Sequence, residues 1–294
     1  MVSSEPAMIP AGIPFHGQST RQSKYTTFGD PIRALVPKNI LISACLALCA
    51  PYAAAGQDTL TDYEFIGGAL RARPAYDGAA SQKGEAIPVL RYFGKPWFAR
   101  TTQGVLEGGA RIEPVAGFAL GAQMAYESGR RSSESAFLKS HNVEDIGAGA
   151  SVGVHAELDR TIGPLPVSVL VRYRHNTDDA RGAQTDLRIT AGVYSGGGFL
   201  AAIFAQATWA NGKSNQAYYG ITPQQSAATG LRTFDAGPGL LYTSVGLLWS
   251  FDLAREWLLL GGVDVRLLRG DAAASPLVED RSNVYASAGL AYRF

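Results

Sequence analysis

The 294-residue sequence contains only two cysteines, Cys45 and Cys49, and both lie in one apolar run near the N-terminus. If an export signal containing that run is cleaved, the rest of the chain has no thiol. Disulfide bonds and thiolate chemistry are then excluded for the mature protein.

Charge is also scarce, because Asp, Glu, Lys and Arg make up 17% of the residues, against about a quarter in an average soluble domain. The net charge of +1 gives no general attraction to nucleic acid. Mean hydropathy is +0.00, too low for a protein that spans a membrane with apolar helices of about 20 residues. A transmembrane β-barrel fits these values, because its apolar face occupies only every second residue.

Enzyme motifs are missing as well. The histidines lack metal-ligand spacing, and no serine stands in a G-x-S-x-G frame. Gly147 to Gly149 belongs to a strand pattern and is not followed by a helix, so it is no phosphate loop. We therefore expect no enzyme, cofactor or metal site. A Ser-His-acid site at His155 beside Glu157 is the alternative that these absences disfavour.

The N-terminal region predicts a secretory signal peptide at residues 33–55. Arg33 and Lys38 precede an apolar run of eleven residues, 40–50, which ends near an Ala-x-Ala site, so we place cleavage after Ala55. Residues 1–32 lack periodicity. We predict that they are disordered, or that the start codon was assigned too early and the protein begins after them. A lipoprotein site at Cys45 is a weaker alternative, because its apolar segment would be only five residues long.

The last stretch, residues 283–294, alternates strictly between an apolar face and a small or polar face, which is the period of a strand. Its apolar face ends in Tyr292 and Phe294. A strand that ends a chain this abruptly is satisfied in a closed barrel, where it pairs with the first strand. The ending also resembles the C-terminal signal read by the bacterial barrel-insertion machinery. The C-terminal strand of a soluble sandwich is the alternative.

The same alternation divides residues 56–294 into about twelve strands, which predicts an all-β, antiparallel up-and-down transmembrane barrel. The predicted strands are 62–76, 85–93, 96–103, 107–113, 115–127, 143–159, 165–176, 184–195, 199–210, 239–252, 257–268 and 283–294. The fourth should end before Pro114, because proline cannot donate to a ladder. Ten strands are the alternative count.

Connection lengths support twelve strands. Connections after even-numbered strands are short and those after odd-numbered strands are long, except near 104–106, and short periplasmic turns with long external loops are typical of outer-membrane barrels. Fusing the third and fourth strands would give an odd number and place the loop 128–142 in the periplasm.

A set of charged side chains is predicted to face the barrel lumen. Besides His155, the set comprises Arg71, Arg73, Glu157, Arg172, Arg174, Asp186, Arg188, Asp264 and Arg266. Arginine outnumbers the acids, so a water-filled lumen would favour anions. The alternative is a lattice of ion pairs that seals a narrow barrel.

The longest connection, 211–238, contains Tyr218, Tyr219, Pro223 and Gln224 and few charges. Loops of this length are usually functional or disordered, and the aromatic content favours order. We expect it to fold over or into the mouth, either as a gate or ligand contact or as structural packing.

Residues 218–239 (YYGITPQQSAATGLRTFDAGPG), 270–273 (GDAA), 275–281 (SPLVEDR) and 289–294 (GLAYRF) resemble the MipA/OmpV family of outer-membrane proteins. The resemblance extends weakly to 71–78 and 90–92 and covers the whole mature chain. It implies a barrel in the bacterial outer membrane, in contact with lipid and lipopolysaccharide, without catalytic residues.

Three functions are compatible with that resemblance. The first is a scaffold that links a murein lytic transglycosylase and a penicillin-binding synthase to the outer membrane. The second is a narrow anion-leaning channel, and the third is an adhesin that acts through the outer loops. The resemblance alone ranks the scaffold first.

Overall fold

The computed structural model describes residues 64–294, which form twelve strands. The strands are β1 (Phe65–Pro74), β2 (Gln82–Phe93), β3 (Trp97–Thr102), β4 (Val105–Val115), β5 (Phe118–Glu127), β6 (Gly149–Ile162), β7 (Leu165–Asn176), β8 (Ala183–Gly196), β9 (Phe199–Ala210), β10 (Gly239–Asp252), β11 (Trp257–Leu268) and β12 (Ser282–Arg293). The predicted extension 1–32, signal peptide 33–55 and cleavage after Ala55 lie outside the described residues.

Each strand pairs antiparallel with the next, and β1 pairs with β12 to close the sheet into a barrel. The closing seam runs from Phe65 opposite Arg293 to Ala72 opposite Ala286. Closure satisfies the backbone groups that the last strand would otherwise leave unpaired. The predicted twelve-strand up-and-down barrel is confirmed, and the alternative of ten strands is wrong.

Side chains alternate between the two faces of the wall. In β12, Leu290 and Tyr292 point outward and are exposed, whereas Tyr285 and Ala291 point inward and are buried. Other strands follow the same rule and leave large apolar side chains on the outside. An apolar exterior is the face that a bilayer solvates, so the wall is built for membrane rather than for water.

The prediction for the fourth strand is wrong at its end. β4 continues through Pro114 to Val115, and the register with β5 shifts between Ile112 and Val115. Such an irregularity leaves residues outside the ladder, so proline is tolerated there without losing a ladder hydrogen bond. β6 also begins at Gly149, later than the predicted 143, because the preceding residues belong to a loop.

Long connections cluster at one end of the barrel and carry short helices. These are α1 (Ala136–Ser140), α2 (Gly212–Tyr219), α3 (Pro223–Thr229) and α4 (Gly270–Ala274), with 3-10 turns at Ser132–Glu134 and Asp179–Arg181. In residues 64–294 no helix has the length and apolarity needed to cross a membrane.

Four of these loops pack together as a cap, which we define as residues 75–81, 128–148, 211–238 and 269–281. Buried Tyr76, Leu138, Ile221 and Leu277 form one apolar cluster between them. A second cluster, which includes Tyr219, joins the cap to the outer ends of the strands. The cap is therefore an ordered layer with its own small core.

Candidate functional site

Glu107 is the centre of an ion-pair network inside the barrel. It points inward from β4 and is 2% exposed. Its carboxylate accepts hydrogen bonds from Arg100 Nε at 2.6 Å, Arg172 Nη1 at 2.6 Å and Gln123 Nε2 at 2.9 Å. Thr102 Oγ1 donates a fourth at 3.2 Å. A buried carboxylate is tolerated when it is paired and hydrogen-bonded in this way.

The network continues around the wall from β3 to β8. Arg172 Nη2 lies 2.7 Å from Asp186 Oδ2, and Arg174 bridges Asp186 at 3.3 Å to Glu127 at 2.9 Å. On the other side, Arg100 Nη1 donates to Glu157 Oε2 at 3.0 Å. We call the set Arg100, Glu107, Glu127, Glu157, Arg172, Arg174 and Asp186 the ion-pair belt. Its three arginines and four acids balance one another within one charge.

Arg266 forms a second charged group nearer the cap. Its Nη1 donates to Asp77 Oδ2 at 2.6 Å, and its guanidinium lies over the rings of Tyr242 and Tyr285 at 4.1 and 4.5 Å from their centroids. The Tyr285 hydroxyl donates to Asp77. Burial alone would raise the pKa of Asp77, but Arg266 and the Tyr285 hydrogen bond hold it below its usual range.

Arg71 and Arg73 share one carboxylate. Arg73 Nε donates to Glu85 Oε1 at 2.8 Å, and Arg71 Nη1 lies 3.6 Å from the same oxygen. The Arg71 guanidinium also packs against Gly104 at the tip of the β3–β4 hairpin, where φ is +80° and a Cβ would collide with it. The left-handed backbone favours glycine at this tip, and any larger residue would also push the Arg71 guanidinium aside.

Arg188 and Asp264 stand apart from the paired residues. The Arg188 guanidinium lies over the Phe204 ring at 3.9 Å from its centroid, and its Nε donates to Thr190 Oγ1 at 3.3 Å. In the described part of the chain, Asp264 Oδ2 has no hydrogen-bond partner. The nine predicted lumen residues therefore fall into the belt, the Arg266 group, the Arg71–Arg73 pair and these two separate side chains.

The four predicted loop residues separate into two pairs. Tyr219 is buried in the cap, Ser275 Oγ donates to its carbonyl at 2.6 Å, and Arg130 Nη1 donates to the Tyr218 carbonyl at 2.7 Å. Burial raises the pKa of the Tyr219 hydroxyl well above its usual value. Pro223 and Gln224 lie in the exposed first turn of α3, so the structure does not join them to the tyrosines.

The C-terminal pair lies at the short-turn end. Tyr292 packs edge-on to Trp257 with ring centroids 5.5 Å apart, and its hydroxyl donates to Glu256 at 3.3 Å. The Phe294 amide donates to the Glu64 carbonyl at 3.3 Å, while its side chain is 62% exposed. Whether the pair acts as an insertion signal stays a prediction.

Sequence reasoning missed the centre of the belt. Arg100, Glu107 and Glu127 were not among the predicted lumen residues, although each has the inward parity of its strand. Leu106 and Ile112 are apolar and have the parity of the outer face of β4, so the odd-numbered Glu107 could have been predicted to face the lumen. Asp77 gave no such signal, because it lies in a loop, where strand parity does not apply.

Three cavities follow one another along the lumen. The outer cavity, about 540 Å³, lies under the cap, the middle cavity is about 140 Å³, and the inner cavity, about 320 Å³, lies towards the short turns. Gln103, with φ of 50° at the β3–β4 tip, lines all three. The lumen beside the belt therefore contains a broken path, with this hairpin tip at its narrow points.

The alternative Ser-His-acid site at His155 is not assembled by hydrogen bonds in the described residues. His155 faces inward and packs edge-on to Phe98 with centroids 5.1 Å apart, and neither ring nitrogen contacts a hydrogen-bond partner within residues 64–294. The same residues contain no group of three His, Cys, Asp or Glu side chains able to hold a metal.

The fold and interior define the class: a transmembrane β-barrel with a charged lumen and a covered outer mouth. The family model described as "MltA-interacting protein MipA" matches residues 66–294. The chain belongs to this family, and it is an outer-membrane protein.

Among solved structures, the barrel is similar to several outer-membrane proteins at low identity. The translocator domain of the autotransporter NalP from Neisseria meningitidis is 11% identical, with 81% of this chain and 90% of that chain covered and a TM-score of 0.43. An outer membrane channel from Pseudomonas putida F1 is 9% identical, with 82% and 100% covered and a TM-score of 0.41. The NanC porin is 10% identical, with 79% and 100% covered and a TM-score of 0.39. No curated protein sequence matches the chain.

Proposed function

We propose that this barrel is an outer-membrane anchor that holds a murein lytic transglycosylase through its periplasmic rim. The family description, "MltA-interacting protein", names the kind of partner. The short-turn end should face the periplasm, as in other outer-membrane barrels.

The observation that carries the proposal is the apolar character of that rim. Val115, Ile162 and Leu253 are 62%, 65% and 52% exposed at the ends of three hairpins, and Phe294 is 62% exposed at the C-terminus. Exposed apolar side chains rimmed by polar ones are typical of protein interaction sites. A docked partner would remove them from water, and the belt and cap give the barrel little room for bulk transport.

If a lytic transglycosylase binds the periplasmic rim, the folded barrel should retain it from an extract. The purified protein is immobilised in detergent and exposed to a periplasmic and solubilised-membrane extract, and retained proteins are identified by mass spectrometry. Replacing Val115, Ile162 and Leu253 together with serine should lower retention roughly tenfold, the loss expected when anchors worth ~1.4 kcal/mol in total are removed.

Folding of the triple variant is checked by the faster gel migration of the unheated barrel. A folded wild-type barrel that retains no transglycosylase would contradict the proposal, and so would a rim variant that retains as much as the wild type.

A second candidate function, a narrow anion-leaning pore, rests on the three cavities. Arg91, Arg100, Arg188 and Arg293 line the inner cavity against one acid, Glu157. Cationic linings raise the local concentration of anions. Gln103 would then be the constriction.

Opening this constriction should change conductance. In planar bilayers we expect Gln103→Gly to raise the single-channel conductance roughly twofold, and Gln103→Trp to lower it, because pore width limits ion flow. Asn142→Gly is the matched control, because Asn142 also has a positive φ of 51° but lies in the cap. Equal conductance in all three variants, or no channels at all, would rule out the pore.

A further inference from the structure

The barrel wall has a notch beside β2. β3 is only six residues long, and it pairs with β2 over three residues, Arg91 to Phe93. Thr101 Oγ1 extends the contact to the carbonyl of Pro88. The next six residues of β2, 82–87, pair with β1 on one side but with no strand on the other within residues 64–294. They correspond to ~20 Å of strand without a neighbour.

Three pieces of chain border the notch. They are the unpaired edge of β2 (82–87), the tip of the β3–β4 hairpin (102–106) and the end of β5 with the segment that follows it (126–134). Lys83 Nζ spans it above, with Glu134 Oε2 at 2.7 Å. Outward-facing Leu106 and Tyr126 are exposed on its rim. Because apolar side chains occupy the outer wall here, the notch opens at the depth of the outer leaflet.

The notch leads into the outer cavity. The same cavity is lined by the notch residues Ala86, Pro88 and Leu106 and by the lumen residues Arg71 and Arg73. One continuous space of about 540 Å³ therefore connects the lipid-facing side of the wall with the charged interior. That volume lies within the range of small-molecule sites.

The lining of this cavity is cationic. Eight arginine and lysine side chains line it against four carboxylates. Because Arg172 and Arg174 also pair with Glu107 and Asp186 of the belt, an excess of two positive charges remains. Arg131 lies exposed at the cavity lip, and Lys83 pairs with Glu85 and Glu134. An apolar entrance joined to a cationic chamber matches a ligand with a hydrocarbon chain and an anionic headgroup.

We propose that the outer cavity binds the phosphate headgroup of an outer-leaflet lipid, which enters sideways through the notch and leaves its acyl chain against Ala86, Pro88, Leu106 and Tyr126. Arg71, Arg73, Lys83 and Arg131 surround the headgroup. The β3–β4 tip at Gln103 and Gly104 forms the floor. The site differs from the periplasmic rim and does not depend on a docked enzyme.

Native mass spectrometry of the detergent-purified protein tests this assignment. The probes are dimyristoylphosphatidylglycerol, its zwitterionic phosphatidylcholine counterpart and inorganic phosphate. We expect one phosphatidylglycerol per barrel, bound about tenfold more tightly than phosphatidylcholine, and no displacement by phosphate at equal concentration. Equal binding of the two lipids would overturn the proposal. Displacement by phosphate alone would overturn the lipid as occupant and leave a free-anion site.

Two pairs of variants separate the headgroup from the entrance. Lys83→Gln combined with Arg131→Gln should weaken phosphatidylglycerol binding about tenfold, whereas Arg255→Gln, an exposed cation at a short turn, should not. Ala86→Trp should block entry of the lipid. Ala288→Trp should not, because Ala288 is an exposed alanine of β12, which pairs with β1 on the side opposite to β2. Folding is checked by heat-dependent gel migration. If Ala86→Trp and Ala288→Trp behave alike, entry through the notch is wrong.

Discussion

Replacing Glu107 with glutamine should lower the free energy of unfolding of the barrel by about 3–5 kcal/mol, the usual cost of removing one partner from a buried ion pair. The substitution keeps the shape of the side chain but removes the charge that Arg100 and Arg172 share. Both guanidiniums are nearly inaccessible to water and would keep their charge with one acid fewer. Urea unfolding of the protein in lipid vesicles measures the loss.

Glu144→Gln is the matched control, because Glu144 is exposed in the cap and should change stability by no more than ~0.5 kcal/mol. A double-mutant cycle with Arg172→Gln should give a coupling energy of about 0.5–3 kcal/mol between residues 107 and 172. A loss below about 1 kcal/mol, the range of solvent-screened pairs, would mean that water fills this side of the lumen. The belt would then not seal it, and the pore would become the stronger candidate.

The barrel could be predicted from the sequence because its strongest signal is local. Strict alternation fixed β9, β10 and β11 at the residues observed, 199–210, 239–252 and 257–268. Period two has a direct physical cause, since one face of each strand meets lipid and the other the lumen. The fourth strand has the weakest alternation, but the count requires it. Without it the number of strands would be odd and the long loop 128–142 would lie in the periplasm.

The errors arose where long-range contacts decide the outcome. Pro114 lies inside β4 because the register with β5 slips there, and a slip depends on both strands. The helices α2 and α3 form in the 211–238 loop because the cap packs around Tyr219 and Ile221. Local cues such as the Thr222 capping box with Pro223 can end or start a helix but cannot show what it packs against.

The interior was harder to predict than the wall. Parity identifies which residues face the lumen, but it does not say which of them meet. Arg172 joins Glu107, which is 65 residues away in sequence, through the closure of the barrel. The notch depends on strand length instead, because β3 ends after six residues and leaves part of β2 without a neighbour. Alternation alone fixes neither the register nor the strand length.

Replacing Phe294 with alanine should reduce the amount of folded barrel in the outer membrane of producing cells roughly tenfold or more, as expected if an aromatic anchor worth ~2 kcal/mol is lost from recognition by the insertion machinery. The same change should leave refolding in detergent almost unaffected. The Phe294 side chain is 62% exposed, and its amide hydrogen bond to the Glu64 carbonyl does not require the ring. Heat-dependent gel migration of outer-membrane fractions and of refolded protein measures both quantities.

Ile162→Ala is the control, because Ile162 is also apolar and 65% exposed at the short-turn end but lies on the β6–β7 hairpin, away from the C-terminus. Reduced assembly in cells with Ile162→Ala would point to a general need for apolar rim residues. Failure of Phe294→Ala to refold in detergent would instead assign the ring to closure of the barrel. If Phe294→Ala refolds in detergent but fails to assemble in cells, the ring acts in recognition before folding, because the finished barrel leaves it largely exposed.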